Sequence, residues 1–488
     1  MNNDNISIIP VPAGMKLNKG VFRLDSNSRI NNGRSLDTSA NQFRSFVEET
    51  GGIRIGKKSS GANIETIIEL ELSSFEDGGN QENYALKITP SKISIKAPAA
   101  AGVFYGVQTL KQIILERMTS TASCIDLPCL EIEDGPRFEW RGFLLDSSRY
   151  FQDIATIKKL IDALALYKIN RLHWHFNDNN SWRFKSEKYP GLARFIRGIS
   201  NDKGCYTAKQ MREVVRYAAA RHIMVYPELE MPGHSQAALS IMSQLKCHGV
   251  SNNTVVNEYC IGRKETEKFN KAIIREIETI FPAPYIHIGG DEAADSNWKF
   301  CKYCKAAMKE KGLKNTKMFQ KDFMNRMAEY VHSRNKTSIA WAEKLSLGIP
   351  EGQIVQGWFD NKESYEAASN GFKTINSYHR GVYLDYPQSV DENRYHWMPD
   401  LPVKEVYGFD PMPTGLSVEQ EKLVLGSEAC LWTELVPQEK VFQKIFPRLW
   451  AFAEIVWSEK TKLDFESFMK RNAVHCGIFD RLGYDFFT

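Results

Sequence analysis

Asp291 and Glu292 stand side by side at the end of Tyr285-Ile-His-Ile-Gly-Gly-Asp-Glu292, where an apolar, strand-like run stops at two glycines. In extended backbone, neighbouring side chains point to opposite faces, so both acids can serve one pocket only where the strand breaks. Gly289 and Gly290 permit that break, because glycine accepts conformations and close approaches that a Cβ forbids. Two carboxylates brought together repel, and repulsion with burial raises the pKa of one of them, which suits a general acid working near neutrality. Taken alone, Gly-Gly-Asp-Glu reads equally well as a strand ending in a polar turn. The elements around it must decide.

From Trp140 the chain alternates strand, loop and helix. Gly142–Asp146 is a compact apolar run, followed by Ile154, Ile157, Leu160, Ile161 and Leu164 at helical spacing. Arg171–Phe176 is a second strand, and Thr207 with Gln210 forms a capping box that opens a helix carrying Met211, Val214, Val215 and Ala218. Ile223–Tyr226 and Tyr285–Ile288 are the third and fourth strands, with weaker candidates at 337–341, 354–358, 373–375 and 423–425. Eight strands separated mainly by helices predict a (β/α)8 TIM barrel, α/β in class, with all strands parallel. Active sites of such barrels lie at the carboxyl ends of the strands. Those ends carry Asp146 and Arg149, Asp178, Glu228 to His234, Asp291 and Glu292, Trp341, Trp358, Tyr383 and Asp385, and Trp432 and Glu434. A tryptophan near a strand end is ordinarily core, but this convergence of acids, an arginine and indoles describes a carbohydrate site. Charged groups bind hydroxyls, and indole faces cover the C–H surface of a sugar.

Residues 1–135 read as a separate small α/β accessory domain without a catalytic constellation. Tyr84, Leu86 and Ile88 alternate, as do Ile93 and Ile95, predicting a hairpin through Thr89-Pro90-Ser91. Val103, Val107, Leu110 and Ile114 follow at helical spacing, and Asp134-Gly135-Pro136 marks the boundary with the barrel domain, 136–488.

Composition narrows the partners. With 63 basic and 59 acidic residues the net charge is +4, and no basic runs suggest a nucleic-acid groove. No run of about eighteen apolar residues predicts a membrane span, and Met1–Val11 shows no signal-peptide pattern, although one removed earlier would leave no trace. The nine cysteines are scattered; Cys247 and Cys260 could close a loop, and Cys301 with Cys304 forms a Cys-x-x-Cys without a second pair at ligand spacing. A zinc site is therefore not expected, and a nearby pair of thiols, free or bridged, is the preferred reading.

Ordered motifs over nearly the whole chain resemble glycoside hydrolase family 20, the β-N-acetylhexosaminidases. They are Trp140-Arg-Gly-Phe-Leu-Leu-Asp-Ser-Ser-Arg149, Leu172-His-Trp-His-Phe-Asn-Asp178, Met231-Pro-Gly-His-Ser235, His287-Ile-Gly-Gly-Asp-Glu292 and Leu431-Trp-Thr-Glu434. Tyr84–Pro90 and Ala101–Leu110 resemble the accessory domain of that family. The resemblance implies an exo-acting, retaining hydrolase that removes terminal β-linked N-acetylglucosamine, with N-acetylgalactosamine a further candidate, using the substrate's own 2-acetamido oxygen as nucleophile. It makes Glu292 the acid/base, Asp291 the partner of the acetamido group and Tyr383 a donor to its oxygen. Trp341, Trp358 and Trp432 would form aromatic walls, Arg149, Asp385 and Glu434 would hold hydroxyls, and Asp178 with His234 would orient Glu292. His173, His175 and His287 are read as packing or supporting groups. The resemblance implies neither metal nor cofactor, a glycan or chitooligosaccharide substrate, and a periplasmic, extracellular or lysosomal-type compartment; a homo-oligomer is left open.

Two positions depart from the pattern. Asn179-Asn180-Ser181 stands where the family has a further acid or amide and then a glutamine, and Glu230 replaces an aspartate before Met231-Pro-Gly. Two other readings stay open on sequence: a catalytically silent glycan-binding protein on the same barrel, against which the intact Asp291-Glu292 pair and Tyr383 argue, and an enzyme releasing a disaccharide.

Overall fold

The structure, a computed structural model, describes residues 6–57, 66–74, 80–118, 123–249, 256–343 and 348–487. Residues 1–5 of the amino-terminal stretch scanned for a leader fall outside these. The first unit contains strands β1 (Gly14–Leu24), β2 (Arg29–Asn32), β3 (Gly56–Lys57), β4 (Ile67–Leu72), β5 (Tyr84–Ile88), β6 (Lys92–Ala97) and β7 (Ile125–Asp134). They form one sheet in the order β1-β7-β5-β6-β4-β2-β3. The expected hairpin is β5 and β6, paired antiparallel with Leu86 opposite Ile95, so that the alternating apolar residues share one buried face. Helix Ala100–Arg117 lies on that face, and glycine makes the close approach possible: a Cβ on Gly106 would come within 2.6 Å of Ile95 Cγ2. Strand β1 was not expected from sequence, because its exposed residues give no clean alternation.

The second unit is a closed barrel of β8 (Trp140–Asp146), β9 (Arg171–His175), β10 (Met224–Glu228), β11 (Tyr285–His287), β12 (Thr337–Trp341), β13 (Ile354–Gly357), β14 (Thr374–Asn376) and β15 (Val424–Leu431). Every neighbouring pair is parallel. Helices Ile154–Leu166, Ala208–Ala219, Lys264–Glu278 and Thr316–His332 follow the first four strands. The capping box at Thr207 and Gln210 is formed in both directions, and Met211, Val214, Val215 and Ala218 are the residues that helix buries. The four later strand positions are also as expected, except that β15 runs to Leu431 rather than ending at Leu425. Gly426, Ser427 and Glu428 interrupt the apolar run, yet all three are buried in the barrel.

The two units are joined by buried charge. Asp134 Oδ2, at the end of β7, accepts from Lys168 Nζ at 2.9 Å and from Tyr84 Oη at 2.7 Å, and Trp457 Nε1 donates to the same carboxylate. Arg141 Nη1 donates to Glu82 Oε2 at 2.7 Å. These contacts lie at the amino-terminal end of the barrel strands and leave the opposite mouth open. The cysteine expectation needs correction: Cys301 and Cys304 are not an isolated pair, because Cys247 and Cys260 are folded against them, with all four sulfurs within 4.8 Å of one another.

Candidate active site

A cavity of about 510 Å3 occupies the carboxyl mouth of the barrel. Asp291 and Glu292 both line it, which requires the strand to break as the sequence suggested. Gly289 and Gly290 take φ values of +63° and +112°. Glycine is also demanded by space, since a Cβ on Gly289 would lie 2.1 Å from Glu230 Oε1. Glu292 itself has φ +45° and His234 φ +44°, left-handed backbone that costs a non-glycine residue about 1–3 kcal/mol and is stored characteristically at functional sites. Two carboxylates hold this turn. Glu230 Oε1 accepts from Gly290 N at 3.1 Å, and Glu343 Oε1 accepts from Glu292 N at 2.7 Å. Glu292's side chain is 59% exposed and Asp291's 16%, so the first reaches into the cavity while the second forms part of its wall.

His234 faces both acids, with Nε2 3.6 Å from Asp291 Oδ2 and 3.5 Å from Glu292 Oε2, while Nδ1 lies 3.2 Å from Asp178 Oδ1. Burial opposes its protonation, but the charges of Asp178 and Asp291 prevail and hold its pKa well above the ordinary histidine value. Asp178 is held well below the carboxylate range: burial disfavours its charge, and Arg149 and His234 outweigh burial. Arg149 Nη2 lies 2.9 Å from Asp178 Oδ2 and 3.4 Å from Glu434 Oε1, its guanidinium 5.3 Å from the Trp432 ring centroid. The departure at Asn179 joins the same group, its side chain receiving Gln236 N and approaching His234 Nδ1 at 3.4 Å.

Across the cavity stand Tyr383, Asp385, Trp358 and Trp432. Asp385 is pushed well above the carboxylate range by burial and then by the Glu434 charge. Glu230 is raised likewise, by burial first and then by Asp291 and Glu228. Three acceptors aimed at this space, Asp291 Oδ1, Asp385 Oδ1 and Glu434 Oε2, have no hydrogen-bond partner among the described residues. Buried acceptors of this kind are ordinarily paired, so these three are available to donors of a bound molecule.

All the residues assigned to the site from sequence line this cavity except Trp341. Trp341 is buried at the end of β12, its indole Nε1 donating to Glu228 Oε1 at 2.8 Å and its ring 5.9 Å from that of Trp432, which does line the cavity. Four contributors escaped the sequence reading: Trp397, Phe359, Glu343 and Glu363. Trp397 and Phe359 form an exposed aromatic rim, with Trp397 stacked on Tyr395 and Phe359 on His379. Glu363 Oε2 accepts from the amides of Trp358 and Phe359 and fixes the loop that presents them. No periodicity marks Trp397, Phe359 and Glu343, since they sit in loops, and Glu363 stands in the first turn of a short helix, Lys362–Ser369.

Below the mouth, His173, Glu228 and His287 cluster closely enough to hold a metal. Their carboxylate is already occupied, by Trp341, by His175 Nδ1 and by His287 Nδ1 at 2.9 Å, which fits a protein-only ion network. A hollow of about 600 Å3, larger than the mouth, lies where the accessory domain meets the barrel helices, between Phe104, Lys111, Leu166 and Tyr217.

An acid-rich, aromatic-walled cavity at the carboxyl mouth of a (β/α)8 barrel is the architecture of a barrel glycosidase. The chain belongs to glycosyl hydrolase family 20: residues 138–460 match its catalytic domain and residues 5–135 its domain 2. It is 32% identical to a β-hexosaminidase of Porphyromonas gingivalis over 99% of this chain and 64% of that protein, and so spans less than two thirds of that relative. A β-hexosaminidase of Akkermansia muciniphila is 30% identical over 86% of this chain and 89% of its own length. Among solved structures, a Streptomyces plicatus β-hexosaminidase mutant in complex with its product GlcNAc superposes with a TM-score of 0.85 at 29% identity, covering 99% and 96% of the two chains.

Proposed function

We propose that this protein is an exo-acting, retaining β-N-acetylhexosaminidase that cleaves terminal, non-reducing β-linked N-acetylhexosamine from glycans or chitooligosaccharides. The observation that carries this reading is the turn at Gly289-Gly290, which brings two sequence neighbours to one cavity in unequal settings. Glu292, exposed in the cavity, protonates the departing glycosidic oxygen and then accepts a proton from water. Asp291, set in the wall with Oδ1 unsatisfied, accepts from the acetamido N–H and stabilises the positive oxazolinium formed when the acetamido oxygen attacks the anomeric carbon. The usual alternative uses a second enzyme carboxylate as nucleophile. Asp291 is in this reading the orienting partner, and the substrate supplies the nucleophile.

Tyr383 Oη donates to the acetamido oxygen, and Trp341, Trp358 and Trp432 enclose the acetamido methyl and the sugar face. Arg149, Asp385 and Glu434 hold the sugar hydroxyls. His234, kept cationic between Asp178 and the acid pair, positions Glu292 and lowers the cost of its ionised form after proton transfer. Family membership supports the assignment, as does the GlcNAc complex of the Streptomyces relative. A compartment outside the cytoplasm belongs to the same reading. The test is a panel of chromogenic β-glycosides. N-Acetyl-β-glucosaminides should turn over orders of magnitude faster than β-glucosides with the same leaving group, and equal rates overturn substrate assistance.

A further inference from the structure

Cys247, Cys260, Cys301 and Cys304 meet in the protein interior some distance along the chain from one another, all four buried and none in a disulfide. Cys260 Sγ lies 3.5 Å from Cys304 Sγ and 3.6 Å from Cys301 Sγ, and Cys247 Sγ lies 3.9 Å from Cys304 Sγ. Four thiolates around one zinc at a Zn–S bond of about 2.3 Å stand on the edges of a tetrahedron about 3.8 Å long. These three separations bracket that edge, and all six lie within 4.8 Å. A disulfide would need about 2.05 Å. Soft sulfur ligands in a closed set of four select zinc, and such a set leaves no position for substrate, which makes the site structural.

The surroundings fit a metal site. Cys301 and Cys304 form a knuckle at the start of helix Lys302–Glu310, and the amide of His248 donates to Cys301 Sγ at 3.3 Å, the kind of N–H···S bond that stabilises a thiolate. The bound set would carry net negative charge, and Arg263, whose amide donates to the Cys260 carbonyl and whose guanidinium lies 4.1 Å from the Tyr303 ring centroid, brings a cation beside it. Gly262 lets the chain pass against the knuckle, since a Cβ there would come within 2.5 Å of Cys304 N. Sequence spacing argued against zinc because the second pair was missing. The fold supplies it from 41 to 57 residues away.

We propose that these four cysteines bind one zinc ion, which ties the loop following β10 to the loop following β11. Binding replaces four S–H bonds with four Zn–S bonds and releases the protons to water. The position gives the tie a purpose. The β10 loop carries His234 and the β11 loop carries Asp291 and Glu292. Within the β10 loop, Ser235 N donates to Asn257 O at 2.8 Å and Tyr259 N to Pro232 O at 2.9 Å, which ties the His234 segment to the chain beside the cluster. Between the loops, Trp298 Nε1 donates to Tyr259 O at 2.9 Å and Asn297 Nδ2 to Glu258 Oε1 at 2.7 Å. Zinc would lock this seam and with it the spacing between His234 and the acids.

The test is metal analysis of the full chain, purified without chelator or metal-affinity resin, then dialysed and measured by inductively coupled plasma mass spectrometry. The expected result is about one zinc per chain, falling to near zero in a C301S/C304S variant. Protein expressed with cobalt(II) should show the ligand-field and thiolate charge-transfer bands of a tetrahedral sulfur site, a readout that does not depend on the variant folding or on glycosidase activity. Metal-free protein with all nine thiols titratable after denaturation would overturn the proposal in favour of a packed thiol cluster. A mass lower by four hydrogens would overturn it in favour of two disulfides. A full zinc complement in a protein inactive on acetamido glycosides would sustain the metal site while refuting the proposed function.

Discussion

The barrel holds two groups of histidines and carboxylates, one in its core and one at its mouth, built from the same residue types with opposite consequences. In the core, Glu228 and Glu428 are wholly buried and both oxygens of each are engaged: Glu428 by His173 Nδ1 at 2.8 Å, Gln356 Nε2 at 2.9 Å and Tyr226 Oη at 2.7 Å, and Glu228 by Trp341 and His175. At the mouth, Asp291, Asp385 and Glu434 each leave an oxygen without a partner among the described residues. Burial of an unpaired charge is costly, so the core must saturate its acids to fold. The mouth carries its deficit because a ligand removes it. Residue type does not distinguish the two groups, whereas completeness of hydrogen bonding at the carboxylates does.

The contrast is broken or sharpened by substitution in each region. Glu292→Gln should lower kcat by a factor of about 10² to 10⁴ on substrates with poor leaving groups, with a nearly unchanged melting temperature, as befits a largely exposed side chain. Full activity in that variant would remove Glu292 as the acid. Glu228→Gln should do the reverse, costing about 3–5 kcal/mol in denaturant unfolding because it leaves buried partners unmatched. A loss no larger than that of a surface substitution would show that the core network is not structural. Gly289→Ala tests the junction between the regions: the added Cβ meets the Glu230 carboxylate, and about 1–3 kcal/mol of stability should go together with much of kcat, read by unfolding and by steady-state assay.

His175 links the two groups, with Nδ1 on Glu228 and Nε2 3.2 Å from Asp178 Oδ2. Burial opposes its charge, but Glu228 and Asp178 prevail and raise its pKa to about 10. Since the folded value exceeds the unfolded one of about 6.5, the stabilisation is complete below that lower pH and is lost as pH rises toward 10. Unfolding free energy should therefore decline across this alkaline window in the native protein, and His175→Gln should flatten that part of the profile. The smallest effect belongs to the rim. Trp397→Ala should raise KM by the equivalent of about 0.5–1.5 kcal/mol for oligosaccharides that extend past the terminal sugar, and leave small aryl glycosides little changed.

What the sequence determined by itself follows from local rules. Compact apolar runs alternating with segments of helical spacing placed the eight barrel strands, and the Thr207 capping box marked a helix start correctly to the residue. The pairing of two glycines with two acids announced a broken strand end, since backbone freedom is written in residue type. Other decisions belonged to the tertiary structure. Glu428 lies outside the strand expected at 423–425, but β15 runs on through it and the closed barrel buries it and supplies donors from β9, β10 and β13. Trp341 and Trp432 meet with ring centroids 5.9 Å apart although they stand at the ends of strands far apart in sequence, because the barrel closes β12 and β15 around one mouth. The partners of Cys301 and Cys304 come from a different loop, and Glu230 and Glu343 converge on the Asp291-Glu292 turn from the ends of other strands. Local sequence sets the conformation of each segment, but contacts between distant segments exist only once the barrel has closed, and at this mouth those contacts give two adjacent acids unequal surroundings.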